Sequence, residues 1–285
     1  MPEDEDTAWK QLLETLFQPF LQFFFPSIHD AIDWSVPPEF LNTEFQRLVP
    51  GMRRGRRITD LLAKLRFRDG TVRWLLVHVE IQGHGETAAK FNERVLDCHF
   101  LIRHRHRCSI EDIVSVAVVI DDSPGFRPGR YVKRLLGVTS LFEFPVVRLI
   151  DLDGRRAELE ASDNPFAVVT LAYLAMFRAS SEDERFATFR WLLRLARDLY
   201  NRGIRAENTG VLVRFLTWIL KPSEARLDEA FGLDRRDFEG TTVMEFFTPF
   251  EIRALERGRA EGKTEGKAEG LREGARALLR RCYGQ

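Results

Sequence analysis

Apolar residues recur at helical spacing from Thr7 to Phe25, at Leu12, Leu13, Leu16, Phe20 and Phe24, and predict an opening helix with Asp6 as its N-cap candidate. Pro19 predicts a kink or split within it, because proline withholds a backbone donor and crowds the preceding turn, and Pro26 ends it. Ile28 to Val49 has mixed periodicity around Pro37-Pro38, which leaves Glu39 to Leu48 open between helix and short strand. From Thr59 onward the pattern becomes that of strands. Two β-compatible runs flank Arg68-Asp69-Gly70, and an Asp-Gly pair between apolar runs signals a hairpin. In the second run, Trp74 to Gln82, alternation sends Val77, Val79 and Ile81 one way and Leu76, His78, Glu80 and Gln82 the other. A loop at Asp69 to Thr71 then sets Asp60 opposite Glu80 and near Gln82. After the Gly83-His84-Gly85 turn, Glu86 to Arg107 reads as a long helix bearing Phe91, Val95, Leu96, Leu101 and Ile102. Ile113 to Ile120 is a β-branched run typical of a strand buried on both faces, closed by Asp121-Asp122-Ser123-Pro124-Gly125. A further strand is expected at Phe144 to Asp151. Hairpin, helix, strand, loop and strand in that order describe a mixed sheet with a crossover helix, hence an α/β class.

From Asn164 the period is helical, over Phe166 to Phe177, Glu182 to Tyr200, Glu207 to Leu220 and Glu224 to Phe231. Three regions follow: an α/β core over 1–161, a helical region over 162–247 with its boundary near Ser162, and a charged tail over 248–285. In the tail Gly258, Gly262, Gly266, Gly270 and Gly274 recur every fourth residue, with helix as the best reading. Each glycine weakens such a helix, so the stripe reads either as a close-contact face in a homo-oligomer or as a frayed extension. Composition narrows the classes. Of the 285 residues 44% are hydrophobic, enough for a sizeable core. Lys plus Arg and Asp plus Glu both number 43, so any surface for nucleic acid must be local. Three cysteines without zinc-type spacing favour reduced thiols. The acidic N-terminus is unlike a signal peptide, and no apolar run reaches membrane-spanning length; Phe17 to Phe25, interrupted by Pro19, comes nearest. A cytoplasmic protein with no membrane partner is the expectation.

The chemistry-bearing cluster is Asp60 with Glu80 and Gln82. A hard divalent cation such as magnesium wants carboxylate oxygens plus water, and two strands ending side by side supply them, with the Ile81 backbone carbonyl as a further ligand. Such an ion polarises a phosphodiester and acidifies bound water. The competing reading is that Asp60 starts a strand and Glu80-Ile81-Gln82 emerges into solvent. Lys64, of the same parity as Asp60, reads either as a displaced charge for the site or as a solvated strand lysine. His78 reads as a proton-transfer aid or as a packed strand histidine. Arg53, Arg54, Arg56 and Arg57, just before Asp60, suit phosphate contacts to DNA or form a solvated loop. Arg103-His104-Arg105-His106-Arg107-Cys108 has poor zinc spacing and reads as a polar helix end with cations at its C-terminus.

Asp60, the hairpin, Glu80-x-Gln82 and a following helix with Arg94 together resemble the PD-(D/E)XK nuclease superfamily, and within it the Rpn family of recombination-promoting nucleases and transposase-like proteins. Supporting matches are Asp6-Thr-Ala-Trp-Lys10, Phe23 to Asp33 followed by Trp34, Glu44 in Asn-Thr-Glu-Phe, Arg56-Arg57, Phe144-Pro145-Val146-Val147 and the glycine-glutamate tail. The resemblance spans most of the chain. It implies a restriction-endonuclease-like mixed central sheet flanked by helices, followed by a helical C-terminal region. It implies a magnesium-dependent DNA endonuclease, associated with recombination or transposition, in which Asp60 and Glu80 hold the metal and Arg94 is an auxiliary residue. Gln82 stands where the superfamily has lysine. Relatives commonly carry glutamine there, but glutamine positions by hydrogen bonds and brings no charge. The alternative is therefore a non-catalytic nucleic-acid-binding or assembly protein on a nuclease scaffold. Downstream of Arg94, family members often have a tyrosine where this chain has Cys98.

Overall fold

The computed structural model describes residues 5–41, 58–81 and 87–223, together with 226 and 230. Helix α1 (Glu5–Thr15) begins one residue before Asp6, which lies in its first turn and is not its cap. The expected split is present but falls at Leu16, ahead of α2 (Phe17–Phe24). Proline strains the turn that precedes it, so the break precedes Pro19, which then sits in the first turn of α2 where its missing N–H costs little. Pro26 ends α2 and opens α3 (Pro26–Ala31). Strand β1 (Glu39–Phe40) resolves the start of the ambiguous segment as strand; beyond Leu41 the segment lies outside the described residues.

Five strands form a mixed sheet in the order β1-β2-β3-β4-β7, where β2 is Ile58–Arg66, β3 is Val72–Ile81, β4 is Ile113–Ile120 and β7 is Val146–Arg148. β1, β2 and β3 run antiparallel, while β3, β4 and β7 are mutually parallel. Helix α4 (Ala88–His106) makes the β3-to-β4 crossover, with the Thr87 side chain accepting from the Lys90 N–H at its start. One sheet face carries Leu62, Leu76, Ile113, Ala117 and Val119, which pack against Phe91, Val95, Cys98 and Ile102 of α4. The other carries Leu61, Ala63, Leu75, Val77, Val116 and Val118, all fully buried, with α1 lying along β2. Burial on both faces is why β4 reads as an unbroken apolar run.

Two departures concern strands. The segment expected as strand over Phe144 to Asp151 is strand only at Val146–Arg148, then tightens into a 3₁₀ turn over Leu149–Arg155. What read as a loop before it contains a separate hairpin, β5 (Arg130–Leu135) and β6 (Val138–Glu143). Its side chains are mostly exposed, so it lacks the polar-apolar alternation of a half-buried strand.

Helices α5 (Arg156–Ala161), α6 (Pro165–Met176), α7 (Glu182–Asn201) and α8 (Ala206–Leu220) follow. The boundary expected near Ser162 lies inside one compact unit ending at Ala230. Trp9 of α1 donates its Nε1 proton to the Tyr173 hydroxyl at 2.9 Å and meets the Phe215 ring edge-on at 4.9 Å. Phe20 stacks edge-on against Phe166 at 5.2 Å. The helical region thus completes the core that α1 and α2 begin. Among the described residues no helix is long and apolar enough to cross a membrane. The expected helix at Glu224 to Phe231 is described only at 226 and 230, and the glycine-repeat tail lies outside the described residues.

Candidate active site

The β2–β3 turn sets the geometry. The Gly70 N–H donates to the Phe67 carbonyl at 2.9 Å and the Phe67 N–H to the Thr71 carbonyl at 2.8 Å. Gly70, at φ +83°, closes a three-residue loop of the kind in which a tight turn is followed by a left-handed residue. The loop is therefore centred on Asp69 and not on Gly70, which moves the pairing by two residues from expectation. Asp60 stands opposite His78, and Glu80 stands opposite Ile58. A shift of two preserves parity, so positions 60, 78 and 80 still belong to one face of the sheet. Asp60 and Glu80 are diagonal neighbours, a relation that puts backbone positions about 7–8 Å apart. Both positions carry carboxylic acids, a residue type whose oxygens suit a hard cation.

The β3–β4 register continues the row. His78 pairs with Ala117, Glu80 with Val119 and Ile81 with Ile120. The cluster thus sits where two parallel strands end, the position at which α/β sheets place ligands. Its face is the one that α4 covers. On that helix Arg94 is 6% exposed, and its guanidinium carbon lies 4.8 Å from the centroid of the Phe91 ring. Cys98 is buried between Leu62, Leu76, Ile102 and Ile113 as a core thiol. Lys64 lies one hairpin row from the turn-side rim: it pairs with Trp74 and forms a 3.5 Å cross-strand ion pair with Glu39 while 40% of its side chain remains exposed. Three strand residues separate it from Asp60, which favours the solvated strand lysine over the displaced charge. Gln82, Arg53, Arg54, Arg56 and Arg57 lie outside the described residues.

Buried polar residues at the same end of the sheet escaped the sequence reading. Asp121, directly after β4 and 7% exposed, accepts from the Ser123 N–H at 2.5 Å. Arg148, at the end of β7 and 6% exposed, donates to the Ser123 carbonyl at 2.9 Å and to Asp151 at 3.2 Å. Through Ser123 the pair ties down the loop beyond β4. Further back on the α4 face, buried His99 and Ser115 lie within 3.0 Å through Nδ1 and Oγ. The sequence signal for Asp121 was an acid ending a fully buried strand, which reads equally well as the first residue of a turn.

The opposite end of α4 carries Arg103, His104, Arg105 and His106 in its last turn, where cations face the negative end of the helix dipole. Arg103, His104, Arg105, Arg107 and Cys108 line an open concave surface, and the His106 ring centroid lies 5.6 Å from that of Trp74. Partial burial, then the nearby Asp112 carboxylate, push the Cys108 thiol upward. Comparison with protein-family models, curated proteins and solved structures returned no match.

Proposed function

We propose that this chain is a magnesium-dependent DNA endonuclease with a restriction-endonuclease-like core of the Rpn type, acting in recombination or transposition. The observation that carries the reading is the strand register: Asp60 and Glu80 occupy one face, two residues apart, at the end of parallel β3 and β4. Asp60, Glu80 and the Ile81 carbonyl would hold the metal, which when bound supplies an acidified water and a polarised phosphodiester. The protein's own groups supply the rest. His78, which pairs with Asp60 in the register, would take a proton, and Gln82 would orient by hydrogen bonding. Arg94 brings a buried positive charge to the helix above this face, and Arg53, Arg54, Arg56 and Arg57 make phosphate contacts that position the duplex without reading sequence.

The test is incubation of the full chain with supercoiled plasmid and magnesium, beside Asp60→Ala and Glu80→Ala. Loss of a supporting residue around a metal costs 10–100-fold, so removal of either ligand should cost at least about 100-fold in cleavage rate. A wild-type chain that cleaves neither duplex nor single-stranded DNA with any divalent cation sinks the nuclease reading. The second reading, a non-catalytic DNA-binding or assembly protein, is favoured by Gln82, which cannot replace a lysine's charge. Salt-sensitive duplex binding without cleavage, weakened by neutralising the four arginines, is its signature.

A further inference from the structure

The β5–β6 arm stands apart from the five-stranded sheet, and among the described residues each of its strands pairs only with the other. An isolated two-stranded hairpin is marginal in water unless something packs on it. Among the described residues only its base is held. Asn92 of α4 donates to the Arg130 carbonyl at 2.7 Å and accepts from the Gly129 N–H at 2.8 Å, and Phe142 meets the His99 ring edge-on at 4.9 Å. Beyond that base the arm exposes Leu135 (65%), Leu136 (95%), Val138 (66%) and Leu141 (55%).

Its two strands differ in how they guard their free edges. β5 carries Arg130, Lys133 and Arg134, the kind of charges that discourage strand addition. From Val138 to Phe142, β6 has neither charge nor proline. The turn is Leu136-Gly137, at φ +48° and +83°, a two-residue loop whose flanking pair Leu135 and Val138 exchange both hydrogen bonds. Alternation then turns the backbone groups of Thr139 and Leu141 outward, away from β5.

We propose that β6 is a homodimer interface, in which Val138–Phe142 pairs antiparallel with the same edge of a second copy about a two-fold axis through Ser140. Thr139 and Leu141 of the two copies exchange backbone hydrogen bonds, and Val138 lies opposite Phe142 of the partner. The two arms become one four-stranded sheet. Lys133 and Arg134 stay on the outer strands, so like charges are kept from the axis. Duplex DNA is the weaker occupant, because Arg130 is already paired with Glu143 at 3.0 Å and only Lys133 and Arg134 are left to meet phosphates on the arm.

Symmetry gives a direct test. Ser140 faces its own copy in a non-hydrogen-bonded pair, with Cα atoms about 4.5 Å apart, inside the range a disulfide spans. In full-length chain carrying Cys108→Ser and Cys282→Ser, Ser140→Cys should give a disulfide-linked dimer on mild oxidation, whereas Lys133→Cys, one strand further from the axis, should not. Leu141→Lys should weaken association at least tenfold in sedimentation equilibrium, with an unchanged circular-dichroism spectrum. Three results overturn the proposal: a folded Ser140→Cys chain that stays unlinked, a dimer that Leu141→Lys leaves intact, or a monomer at all concentrations whose arm substitutions weaken duplex binding instead.

Discussion

Among the described residues two hairpins, each closed by a turn with a left-handed glycine, have opposite outcomes. β2–β3 has both edges occupied, by β1 and β4, and helices on both faces, so a slip of one residue would carry every buried side chain to the wrong face. β5–β6 has two open edges among the described residues and a mostly exposed surface. Its register is held by the turn and by Asn92 at its base. The first turn gives its left-handed position to Gly70; the second gives one to Leu136, where a side chain is strained. A hairpin surrounded by structure is specified by packing, whereas one that projects is specified by its ends.

If that contrast is right, equal truncations should have unequal effects. Leu76→Ala, in the fully buried β3 row, should destabilise by about 2–5 kcal/mol in urea unfolding, while Leu141→Ala on the arm should move global stability far less at matched protein concentration. Similar losses at both sites would break the comparison. Next in size is Gly70→Ala. Nothing lies within 4 Å of the added methyl, so the cost is backbone strain alone, about 1–2 kcal/mol. Leu136→Asn should act in the other direction, raising the thermal midpoint by an amount worth ~1 kcal/mol, because asparagine tolerates the left-handed position. A midpoint that falls would mean the Leu136 side chain has a stabilising contact.

The smallest effect is a pH dependence at the β2–β3 turn. The Thr71 hydroxyl at 2.5 Å, the Thr71 N–H at 2.9 Å and the Arg73 guanidinium at 2.7 Å pull the Asp69 carboxyl down to about 2. A carboxyl that is more acidic in the folded chain contributes stability above its ordinary value near 4, and that contribution is lost as pH falls toward about 2. Asp69 is exposed, so solvent screening keeps the effect small. Stability curves of wild type and Asp69→Asn should differ at neutral pH and approach each other through this window; a constant offset would remove the ionisation from the turn's stability.

What could be read in advance followed burial. Ile113 to Ile120 was legible as β4 to the residue because nearly every side chain there is buried, and α4 and α6 to α8 announced themselves by their period. The parity of Asp60 and Glu80 was legible too, but not their register, which depends on whether Gly70 occupies the centre or the close of its loop. The β5–β6 arm gave no periodic signal because it buries little. Ser162 looked like a boundary because the period changes there, yet a change of secondary structure is not a change of core when Trp9 completes its packing on Tyr173. Asp121 and Arg148 escaped because what they share is the backbone of Ser123, which no pattern of side chains reports.

That Trp9–Tyr173 contact also carries a timetable. Trp9 is fully buried only once Tyr173 and Phe215 have joined it, and they lie more than 160 residues later in the chain. At synthesis speeds of about 5–20 residues per second, the apolar face of α1 waits roughly 10–40 s for the ribosome to deliver its neighbours. During that interval Trp9, Leu13, Leu16 and Phe20 are a hydrophobic stripe still short of its later partners, which makes α1 and α2 a long-standing claim on a chaperone.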